Sequence, residues 1–296
     1  MAVPPTKPRN HLRTFVSAAT VILGLLLAAV AVPAIWVDRN IVQEDGFVSL
    51  AAPLGKDADF QQRLASAAVG TIDAADRIPE PFADLVQPIL DSAAKSLTTL
   101  PGYPAAWEET LRKSHRLNFA ASGSSGPEAA PSTSLTLDVA PLVGLLTKQI
   151  SDATKVPLDA PDQTLINIGQ PSQRQLVDQV SAYAPMGYAL AAGAAISLLL
   201  AFVAARRRWT VLVGTGAGAL VLAAAWKLGS DAAGLAVNGT ASGNDVADIF
   251  KNEFVSASSE QFGQWILATL IAAAVLIVAG VLLRLIAGAR RAVRSR

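Results

Sequence analysis

The chain contains no cysteine and only two histidines, His11 and His115. Without cysteine it can form neither a disulfide framework nor a thiolate metal site. Two histidines do not supply the paired ligands of the usual zinc motifs. The serine-hydrolase motif GxSxG is absent too, because the closest string, SGSSG at residues 122–126, has the wrong spacing. We therefore expect no metal site and no cofactor.

Charge is also scarce and unevenly distributed. Only 16% of the residues are charged and 52% are hydrophobic, whereas ordinary soluble domains are about 25% charged. All 23 acidic residues lie within residues 38–182 and 229–263. The segments 1–14, 206–208 and 284–296 instead hold 11 Lys or Arg residues and no acid. This separation requires a physical cause.

Four apolar runs supply that cause. Each is close to the roughly 20 residues that cross a hydrocarbon core of about 30 Å, and none contains Asp, Glu or His. The sequence therefore predicts an α-helical integral membrane protein, with transmembrane helices over residues 15–37, 183–205, 209–228 and 264–286.

The arginines predict the orientation of these helices. Arg206, Arg207 and Arg208 must form a turn between two spans, since each would cost about 2.5–3.5 kcal/mol at the bilayer centre. An excess of Lys and Arg in short loops marks the cytoplasmic side. The N-terminus (1–14), this turn and the tail (287–296, with Arg290 and Arg291) are thus expected in the cytoplasm of a multi-pass plasma-membrane protein.

The first apolar run has a second interpretation. Its basic start and the small residues Ala29, Val30 and Ala31 are compatible with a cleaved signal peptide. The run is longer than the usual apolar region of about 7–15 residues in such peptides. We therefore favour an uncleaved anchor, with cleavage as the alternative.

Residues 38–182 are expected to form a mainly α extracytoplasmic domain. Asp57 is placed to cap a first helix with Phe60 and Leu64 on one face. A second apolar stripe occupies residues 82–97, and a third helix should follow Pro104 and direct Trp107, Leu111 and His115 into a core. The string GSSGPEAAPSTS, residues 123–134, is typical of a flexible linker.

Two β-prone runs follow the linker. LTLDV, residues 135–139, alternates apolar and polar positions, which predicts a half-buried strand, and TLINI, residues 164–168, is a candidate partner. The mainly α domain should thus carry a small β-strand pair. After Pro171 we expect a helix that runs straight into the second span.

Residues 229–263 are predicted to be a second extracytoplasmic loop with one short amphipathic helix. Val246, Ile249, Phe250 and Phe254 fall on one face of that helix. Because the helix lacks a basic flank, we expect this face to dock on the large domain rather than on the membrane surface.

The third apolar run contains GTGAGA, residues 214–219, which imitates a dinucleotide-binding fingerprint. The fingerprint requires a soluble strand before it, whereas this string lies inside a predicted span. Gly214 and Gly218 form a GxxxG pair, which allows two helix backbones to approach closely. We interpret the pair as a helix-packing feature.

Four residues form a candidate polar site on the outer domain: Trp107, Arg112, His115 and Asp138. A histidine there would titrate near neutral pH and serve as a sensor or ligand contact. The structural alternative, which we favour, places Trp107 and His115 in a core and makes Asp138 the cap of the following helix.

These same residues carry a resemblance to a known group. The order of Trp107, Arg112 and His115, the string LTLDVAPL at 135–142, and two apolar spans hinged by three arginines resemble uncharacterised integral membrane proteins of actinobacteria. The resemblance covers roughly residues 15–228. It implies an actinobacterial cell-membrane protein with a displayed outer domain, and it implies no activity.

The expected function is non-enzymatic: a plasma-membrane protein whose outer domain binds, senses or scaffolds in the cell envelope. An oligomeric pore or permease component, and an envelope enzyme with an outer site, are the alternatives. Expected partners are the lipid bilayer, anionic lipid at the basic tail, and a second copy or another membrane protein. Nucleic acid is not expected, because each basic segment is short and adjoins an apolar run.

Overall fold

The structure, a computed structural model, describes residues 9–71, 99–119, 135–155, 161–167, 171–240 and 245–294, and single residues 92, 96, 157 and 159. The described residues are mostly helical and include one two-stranded sheet. They divide into two compact units. The four-helix unit comprises residues 1–36, 183–232 and 260–296, and the domain unit comprises residues 37–182 and 233–259.

The four-helix unit contains all or most of four long helices: α1 (Arg9–Val37), α7 (Met186–Ala204), α8 (Arg208–Asn238) and α9 (Asp245–Arg294). The last residues of α8 and the first 15 residues of α9 belong to the domain unit. Each predicted span lies within one of these helices, apart from residues at the edges of the second span. By length and composition, four segments of the chain are able to cross a membrane: Thr14–Val42, Val177–Ala204, Arg208–Asn238 and Asp245–Gly288.

The helices α8 and α9 are longer than predicted. The predicted loop at residue 229 is wrong, since α8 continues to Asn238, and the predicted short amphipathic helix is the beginning of the 50-residue α9. Residues 229–238 contain Ala and Leu but no Pro, and Lys227 pairs with Asp231 one turn later. Residues 255–264 also lack Pro, so nothing in the backbone ends the helix before the apolar run.

The helices of this unit approach each other closely at glycines. A Cβ on Gly216 would lie 2.8 Å from the carbonyl oxygen of Ala273, and one on Gly24 would lie 2.8 Å from the side chain of Leu198. The predicted role of Gly218 is supported, because a Cβ there would overlap the side chain of Leu25. At Gly214 no atom of a neighbouring element lies within 4 Å of that position, so within this chain the residue packs no helix against another. The two glycines lie on different faces of α8, so that Gly214 faces open space and Gly216 faces α9.

Side chains also bond across this unit to backbone carbonyls. The Trp226 indole N–H donates to the carbonyl of Ala29 at 2.9 Å, and the Ser17 hydroxyl donates to that of Ala201 at 3.0 Å. The Ser17 hydroxyl and the Trp226 indole N–H therefore have partners within the protein.

The domain unit begins with a π-helix (Asp38–Val42), α2 (Glu44–Ala51) and a 3₁₀-helix (Ala52–Lys56). Then follow α3 (Ala58–Thr71), α4 (Tyr103–Phe119), β1 (Thr136–Asp138), α5 (Ala140–Thr154), β2 (Leu165–Asn167) and α6 (Pro171–Tyr183). Asp57 caps α3 as predicted, accepting a hydrogen bond from the Phe60 amide at 2.9 Å. The predicted stripe at 82–97 and the linker at 123–134 lie outside the described residues, apart from residues 92 and 96.

The predicted strand pair is confirmed: β1 and β2 are antiparallel, with Leu137 opposite Ile166. The half-buried alternation is wrong, because Thr136 and Asp138 are buried as well as Leu137. Their backbones bond to side chains of α4. The expected continuous helix into the second span is also wrong, since a turn at residues 184–185 separates α6 from α7; Pro185 has no N–H to continue the ladder.

Both chain segments of the domain unit contribute to one hydrophobic core. Phe60, Trp107 and Leu111 are fully buried, and Val246 of α9 is buried among them. Phe250 and Phe254 of α9 pack against the same cluster. The apolar face of residues 246–254 thus docks on the domain, as its sequence pattern predicts.

Candidate functional site

Helix α4 carries three of the four candidate residues. Pro104 lies in its first turn, where a missing N–H costs no hydrogen bond. Its buried side chains recur every three or four positions: Tyr103, Trp107, Thr110, Leu111, Ser114, His115 and Asn118. This face mixes apolar and polar groups, so each polar group requires a partner inside the domain.

Trp107 lies at the centre of the core. Its indole N–H donates to the carbonyl oxygen of Ala51 at 3.1 Å, and its ring meets the edge of Phe60 at a centroid distance of 5.6 Å. A Cβ on Gly55 would overlap the Trp107 ring, so this glycine makes room for it. With no exposed surface, Trp107 supports the fold and offers no contact to a ligand.

His115 lies two turns further along the same buried face. Its Nε2 is 3.0 Å from the carbonyl oxygen of Ile41, and its ring stacks on Phe119 at 4.2 Å and lies 5.1 Å from Phe47. A bond to a carbonyl requires a proton on Nε2. Burial lowers the pKa of His115, although the Ile41 carbonyl and the Glu44 carboxylate act in the opposite direction. The neutral ring is therefore favoured in the folded protein.

Asp138 has a structural role at the start of α5, close to the capping role that the sequence favours, although the N-cap residue itself is Val139. One carboxylate oxygen, Oδ1, accepts hydrogen bonds from the amides of Ala140 at 3.0 Å and Thr164 at 2.9 Å. Its own amide donates to the Ser114 hydroxyl at 2.9 Å. Asp138 thus joins the start of α5, the approach to β2 and the buried face of α4.

Arg112 is separate from the other three residues. Its guanidinium is partly exposed and lies 3.9 Å from the Glu108 carboxylate of the preceding turn. Such a surface pair contributes little to stability. The four candidates therefore do not form a single polar pocket: Trp107 and His115 line the core, Asp138 reaches α4 through Ser114, and Arg112 lies on the surface.

Sequence reasoning missed a buried polar network around Asp138. The Asn118 amide donates to the carbonyl oxygens of Ser114 and Thr136, each at 2.7 Å, and accepts from the Thr136 amide at 3.0 Å. The hydroxyls of Thr110 and Thr136 are buried without a partner among the described residues. The i, i+4 spacing of Thr110, Ser114 and Asn118 was the available signal, since three polar residues share one face.

A second feature lies where α1 ends. We call Asp38, Ile41, Gln43, Gly46 and His115 the junction cluster. Asp38 is buried, and its carboxylate accepts from the Gln43 side-chain amide at 2.8 Å. The Gln43 backbone amide donates to the Asp38 carbonyl at 2.9 Å, closing a π-turn. A Cβ on Gly46 would overlap the Arg39 carbonyl, so only glycine fits there.

The junction cluster is thus held from two directions. The Asp38–Gln43 bonds close the π-helix on itself, and His115 bonds the Ile41 carbonyl near its end. Short π-helical turns are frequent at functional sites. No periodicity in the string DRNIVQEDG predicts such a turn, which explains why sequence analysis did not identify it.

Charged side chains border this cluster on the surface. The Arg116 guanidinium lies 3.3 Å from the Glu44 carboxylate and 3.6 Å from that of Glu109, so it links α4 to α2. On another part of the domain unit, Arg63 bonds Glu253 at 2.5 Å and links α3 to α9. The described surface of α4 is therefore ionic.

The arginines that are expected to set the topology lie in the four-helix unit. Arg206, Arg207 and Arg208 are exposed at the turn between α7 and α8, and the Arg208 guanidinium lies 5.4 Å from the centre of the Phe202 ring. Arg290 and Arg291 belong to the last turns of α9, and their side chains lie outside the described residues.

Among the described residues, no group of three or more His, Asp or Glu residues is arranged to hold a metal ion. No family model matches the chain, and the comparisons with curated proteins and with solved structures also give no match. A functional interpretation therefore depends on the geometry of the chain itself.

Proposed function

We propose that the chain is an integral plasma-membrane protein whose four apolar helices cross the bilayer and whose domain unit lies outside the cell. There the domain unit binds, senses or scaffolds a component of the cell envelope. The observation that carries this proposal is the core that residues 37–182 share with residues 233–259.

The shared core bears directly on topology. The two segments are separated along the chain by α7 and by most of α8. If each of these helices crosses the membrane once, both segments return to the same side. Segments on opposite sides could not bury Val246 against Trp107 and Leu111. The packing of the domain unit therefore supports two crossings between its parts.

The surface of the four-helix unit supports a lipid environment. Large apolar side chains point outward on its helices, including Leu26, Leu199, Val221 and Ile271, each more than half exposed. Helices that satisfy their own backbone hydrogen bonds are suited to the bilayer. An aqueous surface of this composition would favour association or precipitation.

Charge supports the orientation. Residues 38–182 contain 18 acidic and 11 basic residues, whereas the segments 1–14 and 206–208 contain only basic ones. Since Lys and Arg concentrate on the cytoplasmic side, the domain unit is assigned to the outside. We also propose, from the sequence motifs alone, that the chain is related to integral membrane proteins of actinobacteria.

The junction cluster supports a sensing or scaffolding role. The π-helix follows α1 directly in the chain, and His115 of α4 bonds to its Ile41 carbonyl. A partner that displaces α4 would thereby move the residues that continue α1. The hydrogen bond thus connects α4 to the π-helix, and the π-helix is covalently continuous with α1.

The proposal is tested by site-specific photo-crosslinking in intact cells. A photoreactive residue is introduced at the partly exposed positions Glu109 and Arg112 and the exposed position Lys148 of the domain unit, and at Arg208 as the matched control. We expect a discrete adduct with an envelope component from at least one domain position and none of that mass from Arg208. The absence of adducts from all three domain positions, or identical adducts from Arg208, would contradict the proposal.

A further inference from the structure

The four-helix unit contains a cleft between α1 and α8. It has a volume of about 880 Å³ and lies where the turn at residues 205–207 joins α7 to α8. One wall is a face of α1 and the other is a face of α8. From Thr14 to Ile22 the α1 wall extends about 12 Å along the helix axis.

The chemistry of the cleft changes from one end to the other. Arg206 and Arg207 line it at the turn, whereas Val21, Ile22 and Val211 line it further along the helices. Neither guanidinium forms an ion pair with a carboxylate in the described part of the chain. Arg208, the third residue of the triplet, is directed to the Phe202 ring and does not line the cleft. The cleft thus has a cationic end, and the rest of its lining combines apolar side chains with the hydroxyl groups of Thr14, Ser17 and Thr210.

Gly214 shows that the interior has room for a ligand. It lines the cleft, and no atom lies within 4 Å of the position that a Cβ would occupy. Gly216 and Gly218 on the same helix are in tight contact with α9 and α1. Gly214 therefore keeps the cleft open without holding two helices together.

Charge argues against the chain's own termini as the occupant. Residues 1–13 contain Lys7, Arg9 and Arg13 and no acid, and the tail 287–296 is also basic. Both segments would be repelled by Arg206 and Arg207. An occupant must carry negative charge at one end and be apolar at the other. The N-terminal end of α8, which also lies at this turn, favours a phosphate through its helix dipole.

We propose that this cleft binds one anionic phospholipid of the inner leaflet, with its phosphate at Arg206 and Arg207 and an acyl chain along Val21, Ile22 and Val211. The inference rests on the proposed membrane location, which supplies the lipid. It assigns to two arginines of the triplet a binding role in addition to their expected effect on topology.

The test is native mass spectrometry of the full chain in detergent, titrated with phosphatidylglycerol and separately with phosphatidylcholine. We expect one phosphatidylglycerol to bind in preference to phosphatidylcholine. Changing both Arg206→Gln and Arg207→Gln should weaken that binding at least about tenfold, because charge-assisted bonds to phosphate are lost. Arg208→Gln, which removes a charge from the same turn, should leave it unchanged.

A second pair of variants tests the apolar part. Gly214→Leu should fill the cleft and reduce binding by a similar factor, while Gly229→Leu, also a position with no atom within 4 Å, should not. Equal loss in the Arg208 and double arginine variants would overturn the proposal, as would full binding by Gly214→Leu. Complete competition by inorganic phosphate would instead identify a small-anion site. Because binding is measured in detergent, these outcomes do not depend on which way the chain is oriented in cells.

Discussion

The two units of this chain place apolar side chains in opposite positions. In the domain unit, Phe60 and Trp107 have no exposed surface, whereas in the four-helix unit Phe15 and Val203 are 72% and 71% exposed. The four-helix unit has a small buried cluster of Val21, Ala201 and Val211, and it also brings its helices together at glycines. Water drives apolar groups inward, but lipid tails are as apolar as Leu and leave close packing as the main attraction. The contrast supports a different solvent for each unit.

The units also differ in how they satisfy buried polar groups. In the four-helix unit, Ser17 and Trp226 donate single bonds to backbone carbonyls. In the domain unit, Ser114, Asn118 and Asp138 form a network that joins a helix to a strand pair. Such networks specify one arrangement of elements when all members are satisfied. Substitutions that disturb the packing of each unit can test this comparison through their effect on the free energy of unfolding.

The largest effect is expected from Trp107→Ala. Removing this side chain should lower the free energy of unfolding of the domain unit by about 3–5 kcal/mol, since a large buried ring leaves a cavity. Denaturant titration of the full chain in detergent, followed by near-ultraviolet circular dichroism, measures this loss. Leu199→Ala, at an exposed apolar position of α7, is the control and should cost much less. Equal losses would remove the contrast between the units.

Gly216→Leu should have the next largest effect. A Cβ there would lie 2.8 Å from the Ala273 carbonyl and 2.7 Å from the Ile277 side chain, and overpacking of this kind costs about 1–3 kcal/mol. At Gly214, two residues away on the same helix, a Cβ has no neighbouring element within 4 Å, and Gly214→Leu should be close to neutral because its side chain can enter the adjoining cleft. Thermal unfolding in one detergent compares the two variants. If neither substitution changed the thermal stability, this result would contradict the close approach of α8 and α9 at Gly216.

Asp138→Ala should destabilise the strand pair of the domain unit. It removes the acceptor for the amides of Ala140 and Thr164, and loss of a helix cap costs about 0.5–2 kcal/mol. Asp138→Asn retains a side-chain oxygen and should cost less. Hydrogen exchange at Ala140 and Thr164 reports the change directly, and unaltered exchange in the alanine variant would contradict the assigned bonds.

The smallest effect concerns pH. Burial holds the pKa of His115 below its ordinary value of 6.5, so the unfolded chain binds a proton at a higher pH than the folded one. The contribution of His115 to stability is complete above the unfolded pKa and decreases as pH falls toward the folded pKa. We expect lower thermal stability at pH 5.5 than at pH 7.5, and a smaller difference in His115→Gln. The same pH dependence in both proteins would show that other groups cause it.

Much of the fold could be predicted from local pattern. A periodicity or a residue preference predicts each of these features: the four apolar runs, the Asp57 cap, the helix that directs Trp107 and His115 into the core, and the strand pair. Interactions between distant segments could not be predicted in this way. Ser114 meets Asp138, and His115 meets Ile41, only because the fold brings them together.

The errors have a common cause. The GxxxG motif gives the spacing of Gly214 and Gly218 but not which face of the helix meets a neighbour. The predicted loop at residue 229 rests on Gly, Ala and Asn content, but Ala favours helix, and the helix continues to Asn238. The π-helix at Asp38–Val42 depends on a contact with Gly46 and on His115, and no local pattern contains either partner.

The most direct test of the account is the accessibility of single cysteines in intact cells. Cysteine replaces Lys148 or Asn238 in the domain unit, Arg208 at the turn, or Ser295 in the tail, and a membrane-impermeant thiol reagent is applied before and after permeabilisation. The absence of native cysteine gives a clean background. The account predicts labelling at 148 and 238 in intact cells, and at 208 and 295 only after permeabilisation. Labelling of 208 or 295 in intact cells, or of 148 without 238, would contradict it.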